Sequence, residues 1–145
     1  MDNNPGCCSV QDDVVKDAKQ VHQDVFNFKC KSHKELVSTI SALVFMCNKD
    51  YDFSMVEAGT ILSGLRNVLS CYVNEVSDFV GVYVTWKEVH GVFHILQHFA
   101  DRSDTRSMVN KFCFDNRRLL VHPVVDNTCN NNYWILMRCL RGLPD

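Results

Sequence analysis

Three histidines of the chain, His90, His94 and His98, are spaced by four residues and would therefore share one face of a helix. An H-x-x-x-H pair on a helix can bind a metal ion. The glutamate that follows the first histidine of a zinc-peptidase helix is missing, and Cys30 and His33 have no matching second ligand pair. We therefore interpret the three histidines as a polar stripe on a helix surface and predict no metal site.

Eight cysteines could supply a catalytic nucleophile, which would need activation by a histidine. Cys47, Cys71, Cys113 and Cys139 instead occupy apolar positions of helical patterns, where a free cysteine behaves as a small hydrophobic residue. The G-x-S-x-G, P-loop and G-x-G-x-x-G motifs are missing from the sequence. These observations predict a non-enzymatic protein without a cofactor, whose thiols stay reduced in the cytoplasm.

Composition narrows the class of partner. The chain has 145 residues, 46% of them hydrophobic and 22% charged, and a formal net charge of -2. These values suit one globular domain, residues 1–145, and argue against nucleic acid or an anionic membrane as the main partner, because both select for basic faces. The polar start and the short apolar runs predict no signal peptide and no membrane anchor, and we expect residues 1–9 to be flexible.

Three segments begin with the same local pattern, S/T-x-x-E, at residues 32–35, 54–57 and 85–88. In a capping box the hydroxyl of the first residue accepts from an amide of the first turn, and the glutamate accepts from the amide of the first residue. Each of the three is followed by apolar residues at helical spacing, so the sequence predicts three helix starts.

The apolar periodicity predicts an all-α fold of six to eight helices, since so few Gly and Pro residues disfavour an all-β chain. The segment that begins at Thr85 is apolar over more than half its circumference, which predicts a central helix surrounded by others. The remaining predicted elements are a helix over 10–26, a helix over 32–47, one or two helices over 54–80 with a join near Asn67 or Asn74, a helix that ends at Pro123, a loop over 126–132, and short helices after it.

The stretch from Val84 to Phe93 resembles the first homology motif of the Bcl-2 family, which reads roughly V-N-W-G-R-I-V-A-F-F at the start of a central helix. Val84, Trp86 and Phe93 match it identically. Thr85 takes the Asn position and Gly91 the small one.

Two further segments support this resemblance. Residues 131–142 resemble the second homology motif through Trp134, Met137, Leu140 and Gly142. Residues 43–48 are similar to a degenerate third motif. Taken together, the resemblance covers about residues 43–142, and it implies a Bcl-2-like helical bundle.

The resemblance also implies a function. Divergent members without a tail anchor are typically virus-encoded and inhibit apoptosis of the host cell by binding the BH3 helix of pro-apoptotic proteins, such as Bim, Bak or Bax, in a hydrophobic groove. Trp86, Gly91, Trp134 and Gly142 would be structural anchors of the motifs. The expected groove residues are Leu62, Leu65, Leu69, Val73, Val76, Phe79, Thr85, Lys87, Glu88, Val89, Val92 and Phe93.

One departure from the family pattern concerns the ligand. The family pairs an Arg, two residues after the motif Trp, with an invariant Asp of the BH3 helix, but this chain has Glu88 there. A carboxylate would repel that Asp. Lys87 could replace the arginine as a point charge without the bidentate fork, and Glu88 would then serve only as the capping acid.

Several alternatives stay open at this stage. A Bcl-2 fold with an occluded groove would bind innate-immune signalling adaptors through another face. The chain could also be an unrelated helical interaction domain, or a small cysteine- or metal-dependent enzyme. A homodimer is possible, and dimerisation through the groove would favour the occluded-groove alternative. Without an anchor, a cytoplasmic protein would reach mitochondria through its partners.

Overall fold

The computed structural model describes residues 22–73, 79 and 82–126, with the backbone alone for 122–126. All regular structure in these ranges is helical, which confirms the all-α prediction for this part of the chain. Residues 22–26 are helical. None of the described helices is long and apolar enough to cross a membrane. Five helices follow residues 22–26: α1 (His33–Asn48), α2 (Met55–Tyr72), α3 (Trp86–Asp101), α4 (Arg106–Asp115) and α5 (Arg117–Asp126).

The predicted capping box is complete at the start of α2 and only partly formed at the start of α1. At the start of α2, Ser54 Oγ accepts from Glu57 N at 3.0 Å and Glu57 Oε1 accepts from Ser54 N at 2.8 Å, which completes a capping box. At the start of α1, Ser32 Oγ accepts from Glu35 N at 3.2 Å, but Glu35 Oε1 accepts from Lys31 N at 2.9 Å. The α1 start is therefore capped by its serine, while its glutamate binds one residue further out.

Helix α3 is central among the described elements, because it contacts α1, α2 and α4. Eight of its sixteen residues are buried, and they lie on more than one side of the helix. This placement confirms the prediction of a central apolar helix that starts next to Thr85. The fully buried apolar side chains of α3 are Val89, Val92, Phe93, Ile95, Leu96 and Phe99.

Helix α2 passes through Asn67 without a join and ends at Tyr72, so of the two joins considered the one at Asn67 is excluded, and Asn74 lies outside the described residues. One boundary differs from the expected one. The helix expected to end at Pro123 instead breaks at Asn116, and α5 continues to Asp126, so the predicted stop at the proline is wrong. Asn116 Nδ2 donates to Phe112 O at 2.9 Å and so satisfies a terminal carbonyl of α4. A proline removes one helical hydrogen bond, and here the helix tolerates that loss.

Several expectations lie outside the described residues. They are the flexible start at 1–9, most of the helix over 10–26, Val76, the loop after Asp126, and the second homology motif with Trp134 and Gly142.

Of the cysteines predicted to occupy apolar helical positions, Cys47, Cys71 and Cys113 are described, and Cys139 lies outside the described residues. Cys47 and Cys113 are buried, Cys30 and Cys71 are partly buried, and all four are free thiols. Burial raises the pKa of Cys47 to about 12, so this thiol stays protonated and is a poor nucleophile.

Residues 22–28 are fixed to α2 by a close aromatic contact. Phe28 is buried, with a φ of 53°, and its ring lies against Gly64 on α2. A Cβ at position 64 would overlap this ring, whereas a Cβ at Gly59 would meet nothing within 4 Å. The two glycines of α2 therefore differ in what a methyl group would encounter.

We expect Gly64→Ala to lower the free energy of unfolding by about 1–3 kcal/mol, because the new methyl group displaces the Phe28 ring. Gly59→Ala is the matched control on the same helix, and should raise stability by about 0.5–1 kcal/mol through its helix propensity. Urea denaturation measures both values. Equal effects of the two substitutions would contradict the packing of Phe28 on α2.

Candidate functional site: a groove beside the central helix

The start of α3 is organised around the carboxylate of Glu88. Its Oε1 accepts from Thr85 N at 2.8 Å and from Thr85 Oγ1 at 2.7 Å. Lys87 N donates to Thr85 Oγ1 at 3.3 Å. Glu88 is 6% exposed, so its charge is directed into the helix cap and away from solvent. The acid at the family's arginine position is therefore a capping residue in this structure.

His33, at the start of α1, ties α1 to this cap. Its Nδ1 lies 2.8 Å from Tyr83 O and 3.6 Å from Glu88 Oε1. Because a carbonyl only accepts, Nδ1 carries the proton of this hydrogen bond. The ring also packs on Tyr83, with 5.4 Å between centroids. The first turns of α1 and α3 are thus held side by side.

The two helices run in the same direction, since His33 lies beside Glu88 and, further along, His94 Nε2 lies 3.1 Å from Asn48 Oδ1. Between these points, Gly91 on α3 faces Ile40 on α1. A Cβ at position 91 would overlap Cγ2 of Ile40, so the glycine permits the close approach of the two helices.

An open groove of about 410 Å³ lies between α1 and α3. Phe45 stands at its edge with 61% of its side chain exposed, and Lys49 Nζ lies 5.7 Å from the centroid of that ring. No carboxylate lines the groove. Its lining residues are Ile40, Ser41, Val44, Phe45, Asn48, Lys87, His90, Gly91 and His94.

Most residues expected to line a ligand groove lie elsewhere. Only Lys87, together with the motif residue Gly91, lies at the open groove. Thr85 and Glu88 form the cap, Val73 is partly buried, and Trp86 is 49% exposed. The structure brings the others together in the interior, so the contact between α2 and α3 is filled by apolar side chains. The buried members of the set are Leu62, Leu65, Leu69, Phe79, Val89, Val92 and Phe93.

The α1 side of the groove was not anticipated from the sequence. One available signal was the spacing of Lys87, Gly91 and His94, which places two polar residues and the smallest residue on one face of α3. Nothing in the pattern of α1 indicated that Phe45 would remain exposed.

The three histidines do not act as one stripe. His90 and His94 line the groove, but His98 packs against the rings of Phe53 and Phe99, with centroids 6.1 and 5.6 Å away. Burial, together with the nearby Arg102 guanidinium, lowers the pKa of His98. The described part of the chain holds no group of three or more potential metal ligands.

A second, smaller cavity of about 270 Å³ lies between α2 and α4. Arg66 Nε donates to Asn116 Oδ1 at 3.0 Å across its end, and Lys111 Nζ donates to Asp115 Oδ2 at 2.9 Å on its rim. Its charged groups are thus engaged with each other or with neighbouring polar groups, and its apolar part is small. The groove beside α3 is the stronger candidate for a binding site.

Comparison with known proteins adds no relative, since no family model, no curated protein and no solved structure matches the chain. A functional assignment therefore depends on the groove geometry and on the motif residues themselves.

We expect Glu88→Ala to lower the free energy of unfolding by about 1–3 kcal/mol, because it leaves the amide and hydroxyl of Thr85 without their acceptor. Glu88→Gln should cost less, since an amide oxygen can still accept. The control is Glu57→Ala, which removes the more exposed acid of the α2 capping box. Chemical denaturation checks the order, and a larger loss for Glu57→Ala would contradict the buried cap.

The lowered pKa of His98 leads us to expect that stability depends on pH. Its pKa is lowered in the folded state, so the unfolded chain binds the proton more readily. Stability should therefore fall as the pH drops below about 6.5, the ordinary value for histidine. Denaturation of the wild type and of His98→Gln across this range isolates the contribution, because other groups titrate in both proteins. Identical pH profiles would refute it.

Proposed function

We propose that the protein binds the amphipathic BH3 helix of a pro-apoptotic Bcl-2 protein, of the Bim, Bak or Bax class, and thereby inhibits apoptosis of a host cell. The observation that carries this proposal is the open groove beside the start of α3, in the stretch that resembles the first homology motif. The groove differs in position from the one implied by the family, because it lies on the α1 side of the central helix instead of the α2 side.

The dimensions of the groove suit a short helical ligand. Its α1 wall extends from Ile40 to Asn48, which is about 12 Å at 1.5 Å per residue and corresponds to roughly two helical turns. An amphipathic helix presents apolar anchors at every third or fourth residue, so two or three anchors could contact Ile40, Val44 and Phe45.

The electrostatics of the site also support the proposal. The sequence alone suggested that Glu88 would repel the Asp of a BH3 helix. With Glu88 6% exposed and bound to Thr85, the charge nearest the groove is that of Lys87, which is exposed and lines it. Lys87 can therefore pair with a ligand carboxylate as a point charge.

A second candidate function is supported by a separate observation. The α2 and α3 residues expected to line the family groove, such as Leu65, Leu69 and Phe93, are fully buried. A filled groove at that position favours the occluded type of Bcl-2 fold, which binds innate-immune signalling adaptors through another face. If the folded protein binds no BH3 peptide, this candidate is favoured over the first.

We expect calorimetry with BH3 peptides of Bim, Bak and Bax to detect binding to at least one of them. Phe45→Ala should then weaken that binding about tenfold, which corresponds to ~1.4 kcal/mol for the loss of an exposed aromatic anchor. The matched control is Phe114→Ala on α4, because Phe114 is similarly exposed, at 51%.

Two results would contradict this assignment. If no peptide in the panel binds the folded protein, BH3 binding is excluded. If a peptide binds, but Phe45→Ala and Phe114→Ala weaken it equally or not at all, the ligand lies outside the groove between α1 and α3.

A further inference from the structure

Two aromatic side chains are exposed where the chain enters α3. Tyr83 is 67% exposed and Trp86 is 49% exposed. The resemblance to the first homology motif implied that Trp86 is a structural anchor, and that role does not account for its exposure. A tryptophan ring has a large apolar area and is on average well buried, so the exposed half of Trp86 offers a surface that a partner can cover.

Both rings belong to one end of the helix pair α1 and α3. The two helices run in the same direction, so their first turns lie side by side, and His33 joins them. Its ring packs on Tyr83 with 5.4 Å between centroids, and its Nδ1 lies 2.8 Å from Tyr83 O. Trp86 is the first residue of α3 and follows Tyr83 by three positions. The two exposed rings are therefore neighbours at this end of the pair.

Three exposed lysines lie at the same end. Lys31 and Lys34 are at the start of α1, and Lys87 directly follows Trp86. Within the described ranges, none of these three ammonium groups forms an ion pair with a carboxylate. We refer to Tyr83, Trp86 and the three lysines as the aromatic end.

Two glutamates also lie at this end, and both bind the backbone of a helix start. Glu35 Oε1 accepts from Lys31 N at 2.9 Å. Glu88 Oε1 accepts from Thr85 N at 2.8 Å, and Glu88 is only 6% exposed. The exposed charged groups of residues 31–35 and 83–88 are therefore three ammonium groups and one carboxylate.

From this combination we infer that the aromatic end docks the protein on an anionic lipid surface. Tryptophan and tyrosine favour the membrane–water interface, where the ring contacts the acyl region and the N–H or O–H group stays hydrated. Lysines beside such a surface are attracted by its anionic headgroups. The inference goes beyond the proposed function and does not depend on what the groove binds.

The charge of the whole chain does not oppose this contact. The formal net charge of -2 argues against an anionic membrane as the main partner of the whole surface. However, charges further apart than about 8 Å are largely screened at physiological ionic strength. A membrane in contact with the aromatic end therefore interacts mainly with the charges at that end.

The lysines favour a lipid surface over a partner protein. Tryptophan and tyrosine are enriched in both kinds of contact. Lysine, in contrast, is depleted in protein interfaces, whereas clusters of basic residues beside a membrane bind its anionic lipids. A protein partner, including a second copy of this chain, is therefore treated as an outcome of the test.

The test uses the full chain with vesicles of phosphatidylcholine alone or of phosphatidylcholine mixed with phosphatidylserine. In co-sedimentation at low salt, the affinity for the phosphatidylserine vesicles should be higher by about fivefold or more, because several lysines act together. High salt should remove this preference through screening. The tryptophan emission should shift to shorter wavelength on the anionic vesicles. Trp86→Phe should remove most of that shift, since Trp134 is the only other tryptophan.

Aromatic variants locate the contact. Trp86→Ala should weaken binding to the anionic vesicles about tenfold, through the loss of a large apolar side chain. The matched control is Phe114→Ala on α4, because Phe114 is similarly exposed, at 51%. Tyr83 lies outside the helices, so Tyr83→Ala provides a second variant if Trp86→Ala impairs folding.

Charge variants on α1 provide a separate measurement. Lys34→Glu reverses a lysine at the aromatic end, and it should weaken binding to the anionic vesicles about tenfold. Lys49→Glu makes the same change of net charge just after the other end of α1, and it should change binding by less than about twofold, since a distant charge is screened.

Three results would overturn the inference. The first is the lack of binding to the phosphatidylserine vesicles, or equal binding to both kinds. The second is binding that the aromatic and lysine variants weaken no more than their controls do, because the contact then lies elsewhere. The third is a dimer in the absence of vesicles that Trp86→Ala dissociates, which would assign the aromatic end to a second copy. Calorimetry with BH3 peptides is independent of all three, so failure of one proposal leaves the other standing.

Discussion

The buried carboxylate of Glu88 fixes where the central helix begins, and the arrangement of the described bundle depends on it. By accepting from the amide and the hydroxyl of Thr85, Glu88 sets both the first residue and the rotational phase of α3. Consecutive residues of a helix are about 100° apart around its axis. A start displaced by one residue would turn different side chains toward α1, α2 and α4, which all pack on this helix.

That phase explains why one side of α3 is closed and another is open. On its buried side, the helix presents large apolar residues such as Val92 and Phe93, and these are fully buried. Toward α1 it presents Gly91, which allows Ile40 to approach, flanked by the polar residues Lys87 and His94. Because Lys87 and His94 are polar, they do not pack into an apolar core beside this contact, and the groove between α1 and α3 stays open.

The features that could be predicted from the sequence are local ones. The capping pairs at 54–57 and 85–88 involve residues three apart, and the apolar period of α3 identified the central helix from its own residues. The helix end predicted at Pro123 was wrong because the effect of a proline on a helix depends on its surroundings. The side chain of Asn116, in contrast, binds the last turn of α4 where that helix ends. The groove was not predictable, because it results from the pairing of α1 with α3. Residues 36–48 alone cannot show which of their apolar positions are covered by another helix.

At Glu88 the direction of the side chain matters more than its charge. Read as charges alone, the stretch from Trp86 to Val89 has an anion where the motif that it resembles has a cation. In the folded chain the anion is directed at Thr85, and the preceding Lys87 lies on the open groove. A shift of one position along a helix turns a side chain by about 100°, so the cation Lys87 lies on a different side of α3 from Glu88. A single point charge in that place fixes ligand orientation less strictly than a bidentate arginine would. For the helix that is proposed to bind here, the apolar side chains along α1 therefore contribute more to recognition than one ion pair with Lys87.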